Sequence, residues 1–361
     1  MINSRFSHLL KVCITALVVF TAFFINSCYK EAETFFPNAE ENGLDAQLLF
    51  QAVELAEQDS GILSLIVYRN NDIIVEEYFG KGGADSLHKV KSVTKSVTSI
   101  LVGMAMDQGY ISSLDETVAD YLSDYLTPED SIVARVTIRE LLTMSGGFDW
   151  NELTDPDWVY WNNWVRSDDH FLYALHVPII HEPGTQFTYC TTGCQIISGL
   201  FTEATGYTLK AFAEEFLFAS LGIVGDRPWG ADHHDFNYGG VTLQLKAMDM
   251  LKIGKLYLNE GEYIGQQVVP KEWVVSSTSA QIGTDVMYSA DHYGYYWWIG
   301  EKEGVQYYYA NGFGGQFIFV FPELEMLVIA QSELNNAYHD PGQQWMNTIN
   351  LIMNEIFSTV L

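Results

Sequence analysis

Basic residues are scarce in this chain: 18 Lys and Arg stand against 46 Asp and Glu among 361 residues, a formal net charge of −28. Such an excess excludes nucleic acid and anionic membrane surfaces as electrostatic partners, because both would be repelled. Cysteine is scarcer still, with four residues: Cys13, Cys28, Cys190 and Cys194. No disulfide framework can be built on that number once a leader is removed, so Cys190 and Cys194 read as buried free thiols. The nine histidines contain no H-E-x-x-H, and His233-His234 is a lone pair in a loop-like stretch. No metal and no cofactor is expected on this reading. A hydrophobic content of 48% with 14% aromatics excludes disorder and is enough for a large packed body.

Long apolar runs are absent except at the start. Arg5 and Lys11 precede an almost unbroken apolar run from Val12 to Ile25, followed by Asn26-Ser27-Cys28. Roughly 20 residues are needed to span a bilayer, so this layout predicts a cleaved export signal over 1–27. Its loss would remove Arg5 and Lys11 and take the charge to about −30. Ile25-Asn26-Ser27-Cys28 resembles a relaxed bacterial lipobox, which predicts lipid attachment at Cys28 in the periplasm or cell envelope, the only expected contact with a membrane. Asn26 replaces the usual small residue, so plain secretion is the alternative.

After Cys28 an acidic, unpatterned stretch through residue 43 reads as a tether, and a first helix is expected from Asp45 to Gln58. Leu63–Tyr68 and Ile73–Phe79 are β-rich runs around Arg69-Asn70-Asn71-Asp72, a hairpin signal. Val93, Val97, Ile100, Leu101 and Met104 fall at helical spacing up to Gly109, predicting a buried helix. Further helices are expected over 136–144, 194–205, 243–258 and 343–361, and strands over 293–299, 306–310, 317–321 and 326–330. Strand chemistry at both ends with helices between predicts one antiparallel sheet flanked by helices, with an inserted helical lobe. The sheet lobe would take about 44–90 and 237–361, and the helical lobe about 91–236.

Two Ser-x-x-Lys matches occur, Ser86 to Lys89 and Ser92 to Lys95. Only Ser92 opens a buried helix, where residues three apart sit side by side and the Lys95 amine can reach the serine hydroxyl. A solvated Ser and Lys on a polar helix face is the bland reading of that pair taken alone. Residues 183–199 then read Pro-Gly-Thr-Gln-Phe-Thr-Tyr-Cys-Thr-Thr-Gly-Cys-Gln-Ile-Ile-Ser-Gly, and residues 309–317 read Tyr-Ala-Asn-Gly-Phe-Gly-Gly-Gln-Phe before an apolar strand.

With these three ordered segments the chain, over about 45–355, resembles the serine β-lactamase and penicillin-binding hydrolases. The tyrosine-based pattern is similar to the class C enzymes and their carboxylesterase and aminohexanoate-oligomer hydrolase relatives. The resemblance implies a β-lactamase/transpeptidase-like fold of mixed α and β structure. It implies Ser92 as nucleophile, Lys95 and Tyr189 as the groups that move its proton, and the backbone N–H groups of Ser92 and Phe313 as an oxyanion hole. Thr191, Asn311, Gly312, Gly314 and Trp161 are the implied substrate contacts. The sequence departs from penicillin-recognising members in having Ala310 in place of Lys and Thr191 in place of Asn. Without that cation a carboxylate-bearing β-lactam is disfavoured, and an ester, an amide or a short peptide is the expected substrate. D-alanyl-D-alanine peptidase or β-lactamase activity, and a catalytically silent peptide- or β-lactam-binding lipoprotein, are the alternatives. Trp158, Trp161 and Trp164 are spaced as a packed helix face, and a lid over an acyl pocket is the other reading.

Overall fold

The structure is a computed structural model, and it describes residues 32, 34–155, 157–287, 289–333 and 340–361. The leader and Cys28 lie outside the described residues. The stretch expected as a tether up to residue 43 instead packs down at its end. Phe36 and Ala39 are buried, and a 3-10 turn at Glu40–Asn42 closes onto Gly43, because the apolar members of this acidic stretch find the core.

Eight antiparallel strands form the main sheet: β1 (Ile62–Arg69), β2 (Asp72–Tyr78), β3 (Ile282–Met287), β4 (Ala290–Tyr293), β5 (Trp298–Lys302), β6 (Val305–Gly312), β7 (Gln316–Phe321) and β8 (Met326–Ser332). Their order is β2-β1-β8-β7-β6-β5-β4-β3, so the N-terminal hairpin pairs with the last strand of the chain. The β1–β2 turn places Asn70 at φ 50° and Asn71 at φ 68°, the left-handed geometry of a tight hairpin that asparagine tolerates. Every position of β7 and β8 is buried, which requires cover on both faces. Alternation supplies it. Phe317 and Phe321 meet Trp345 and Phe357 of the C-terminal helical segment, whereas Ile318 on the opposite face, with Leu327, sits against Gly254 of the helix Ala247–Leu258.

Two expected elements differ. The run 293–299 is not one strand: β4 ends at Tyr293, Tyr296 takes φ 64°, and β5 starts at Trp298. Tyr296 and Trp297 leave the sheet because they are used elsewhere. The Tyr296 carbonyl accepts from Ser96 Oγ at 2.7 Å, and the Trp297 ring stacks on Tyr257. The last helix is α-helical only over Pro341–Asn350, then widens to a π-turn at Leu351–Ile356 and tightens to 3-10 at Phe357–Thr359. Strand β3, whose burial alternates weakly, had no sequence signal.

The helical lobe is built around α1 (Val93–Asp107), α2 (Val159–Val165), α3 (His170–Leu175) and α4 (Thr191–Thr205). Helix α1 is buried at nearly every position and runs between the sheet and α4. No helix among the described residues is long and apolar enough to cross a membrane.

Candidate active site

Ser92 stands at the start of α1, immediately after Lys91, whose φ of 51° is left-handed. That backbone costs about 1–2 kcal/mol in a residue with a Cβ, and it swings the chain sharply into the helix at the cavity wall. The end of β6 presses against this turn. A Cβ on Gly312 would meet the Val90 carbonyl at 2.3 Å, so glycine is what allows strand and nucleophile turn to touch.

One helical turn on, Lys95 is buried, and its Nζ donates to Ser92 Oγ at 2.8 Å and to the Gly240 carbonyl at 3.1 Å. The same ammonium lies 4.8 Å from the centre of the Tyr189 ring. Tyr189 is buried where the chain enters α4, stacked on Trp298 and edge-on to Tyr293, and its phenol faces the Lys95 ammonium. The structure thus brings Ser92, Lys95 and Tyr189 together, the first two by a hydrogen bond and the third by the approach of its ring to the ammonium. The decoy pair is elsewhere: Ser86 lies in a turn and Lys89 is exposed on a two-residue ladder with Gln244.

Burial pushes the Tyr189 phenol above its ordinary value. The Lys95 ammonium pulls the other way, and Glu152 and Cys194 add to the rise. For Lys95, burial lowers the ammonium, but Tyr189, Cys194 and Glu152 together outweigh it and raise the amine. Desolvation outweighs the pull of the ammonium because the phenol is buried. At neutral pH the resting pair therefore holds its protons.

Above the network opens a cavity of about 640 Å³, within the range of small-molecule sites. Ser92, Tyr189, Thr191, Asn311, Phe313 and Trp161 line it. Gly312 and Gly314 do not line it. Gly312 is the last residue of β6, and Gly314 sits in the β6–β7 turn at φ 80°. Thr191 also donates both its N–H and its hydroxyl to Glu152, at 2.9 and 2.7 Å, which leaves its hydroxyl proton committed. Asn311 Oδ1 accepts from Trp345 Nε1 at 2.7 Å.

Glu152 gave no signal in the sequence. Its carboxylate is buried, accepts from Trp150 Nε1 at 2.5 Å as well as from Thr191, and faces the cavity. The tryptophan trio divides. Trp164 is buried with its Nε1 on the His170 carbonyl, so packing describes it. Trp158 and Trp161 line the cavity instead, and the Trp158 ring meets Phe313 edge-on at 5.2 Å across the mouth. The helix is too short, and Trp158 at φ 54° lies outside it, so the spacing of three does not define one face. Cys190 and Cys194 are buried and free, with burial pushing their thiols up to about 12 and about 11.

An antiparallel sheet between helical layers, with a helix-borne Ser-x-x-Lys pair at the seam to a helical lobe, defines the β-lactamase and penicillin-binding class of hydrolase folds. The Beta-lactamase family profile matches residues 50–348, and the chain belongs to that family. It is 23% identical over 289 residues to a 6-aminohexanoate-dimer hydrolase of Paenarthrobacter ureafaciens, covering 74% of this chain and 72% of that one. Its fold is similar to the octameric penicillin-binding protein homologue from Pyrococcus abyssi, with a TM-score of 0.66 at 19% identity over 86% of this chain and 77% of that one. A penicillin-binding protein from Bacillus halodurans gives 0.64 at 17% identity, over 84% and 100%.

Proposed function

We propose that this β-lactamase-family hydrolase is an esterase or amidase that works through an acyl-serine intermediate. The observation that carries the reading is the hydrogen bond from Lys95 Nζ to Ser92 Oγ, with the Tyr189 ring 4.8 Å from the same ammonium at the cavity wall. In this scheme Ser92 Oγ bonds to the carbonyl carbon while the carbonyl π electrons move onto oxygen. The serine proton passes to the Tyr189–Lys95 pair, after that pair has released one of its own to solvent water. The backbone N–H groups of Ser92 and Phe313 receive the oxyanion. Collapse breaks the bond to the leaving group, which takes the proton from the pair, and water repeats the cycle on the acyl-serine. The apolar Trp158, Trp161 and Phe313 side chains favour an uncharged acyl or leaving group, and Ala310 supplies no cation for a carboxylate. Export with lipid attachment at Cys28 belongs to the same proposal and would place the substrate outside the cytoplasm.

Lys91 favours a second reading. Among the described residues it is the cation that lines the cavity, and a carboxylate-ended peptide or β-lactam would pair with it. The test is fluorophosphonate labelling followed by a panel of nitrophenyl esters, D-amino-acid amides and a chromogenic cephalosporin. The proposal expects one label on Ser92, none in Ser92→Ala, and turnover of esters or amides ahead of the cephalosporin. Preferred cephalosporin or D-alanyl peptide turnover would select the second reading, a burst without turnover would mark a binder, and no label on the wild type would refute the nucleophile.

A further inference from the structure

Away from the cavity, the fold brings together three side chains that the sequence keeps 64 and 65 residues apart. Asp169, which caps α3, accepts from His234 Nε2 at 3.0 Å and lies 3.1 Å from His233 Nε2, both nitrogens meeting the same oxygen, Oδ2. The three donor atoms all lie within 4.8 Å of one another. A first-row divalent cation bound by imidazole and carboxylate at about 2.0–2.2 Å sets neighbouring donors roughly 3.0–3.4 Å apart, and the two histidine-to-aspartate separations fall in that range.

The surroundings hold this geometry in place. Asp169 Oδ1 accepts the Leu172 N–H at 2.8 Å, which fixes the carboxylate and leaves Oδ2 pointing at the imidazoles. Asp232 Oδ1 accepts the N–H groups of His234 and Phe236, its Oδ2 accepts from Gln195 of α4, and its own N–H returns to the Phe236 carbonyl. The two histidines therefore ride on a closed turn anchored to the helical lobe. His233 is half-exposed, so an ion can enter from solvent. Asp168, Asp232 and Asp235 adjoin the cluster in sequence and, with the overall charge, draw cations toward it.

We propose that Asp169, His233 and His234 form a binding site for a borderline divalent cation such as Zn²⁺ or Ni²⁺. Bound metal takes the Nε2 lone pairs, the ring protons sit on Nδ1, and three protein ligands leave the remaining positions to water. The consequence reaches the candidate active site through the backbone. The chain leaving this turn offers the Gly239 carbonyl to Thr98 and the Gly240 carbonyl to Lys95. A cation joining the turn to the start of α3 would stiffen the segment that seats the lysine. The site itself does not depend on the acyl-serine reading.

The test is calorimetric titration of ZnCl₂ into the untagged full chain after EDTA treatment and dialysis. One Zn²⁺ per chain is expected, with affinity falling at least about tenfold in His233→Ala and in the ring-preserving His234→Phe. The His176→Ala control, which breaks the separate His176–Asp130 pair, is expected to bind as the wild type does. Zn²⁺ should also raise the melting temperature of the wild type and not that of His233→Ala. His233 has half its side chain in water, so that variant remains a fair test even if His234→Phe fails to fold. Absence of stoichiometric binding by the wild type, or wild-type affinity in His233→Ala, would overturn the site and leave the cluster as a plain ion pair.

Discussion

Replacing Lys95 by Met separates chemistry from stability more cleanly than any other change at this site. Methionine fills the same buried channel without a charge or a donor. Two effects on stability oppose each other. The Gly240 carbonyl loses its 3.1 Å donor, which costs about 1–3 kcal/mol for a buried acceptor, while removing a buried ammonium relieves a desolvation penalty of several kcal/mol. The net change should stay within about 2 kcal/mol, a melting shift of a few degrees at most for a chain this long. The rate has no such compensation. Loss of the 2.8 Å contact with Ser92 removes the charge against which its proton moves, and general-base losses run about 10²–10⁴-fold, or roughly 2.7–5.5 kcal/mol of barrier. Nitrophenyl-ester hydrolysis followed beside calorimetric melting measures both. Tyr189→Phe should give a loss of similar size, and the double variant should be little worse than the weaker single one, because the two act as a unit. A Lys95→Met enzyme within about tenfold of the wild-type rate would refute the reasoning.

The pH profile follows from the same pair. Both groups are held above their ordinary values, Tyr189 chiefly by burial and Lys95 by Tyr189, Cys194 and Glu152 against burial, so the proton-accepting form appears only as pH rises. Turnover should climb from neutral into the alkaline range, and Glu152→Gln should move that limb to lower pH; a flat profile from about pH 6 to about pH 9 contradicts it. Gly240→Ala would put a Cβ 3.0 Å from Thr191 Cγ2 and 3.2 Å from both Cys194 Cβ and Lys95 Nζ, and is expected to lower kcat at least about tenfold while costing about 1–3 kcal/mol of stability in a denaturant melt. Trp161→Ala should change ester chain-length preference with little change in melting, whereas Trp164→Ala should cost about 3–5 kcal/mol without altering preference. Equal effects of the two on melting would mean that Trp161 is core.

The fold class and the Ser92–Lys95 pair were legible in the sequence because each rests on local geometry, whereas Tyr189 was found only through the resemblance of its segment to a family motif. Three residues along a helix are neighbours whatever surrounds them, Asn70-Asn71 favours one tight turn, and the apolar runs near both ends can bury themselves in one sheet. The same locality explains why Ser86 could be set aside. What the tertiary structure alone decided lies between segments distant in the chain. Glu152 is an ordinary loop glutamate until Trp150 and Thr191 close around it, and the spacing of Trp158, Trp161 and Trp164 does not say which ring meets Phe313 and which is buried. Composition placed His233-His234 in a loop without a partner, yet Asp169 arrives from the start of α3. Periodicity carries information over a few residues, and burial, protonation and ligand sets are properties of what packs against them from elsewhere in the chain.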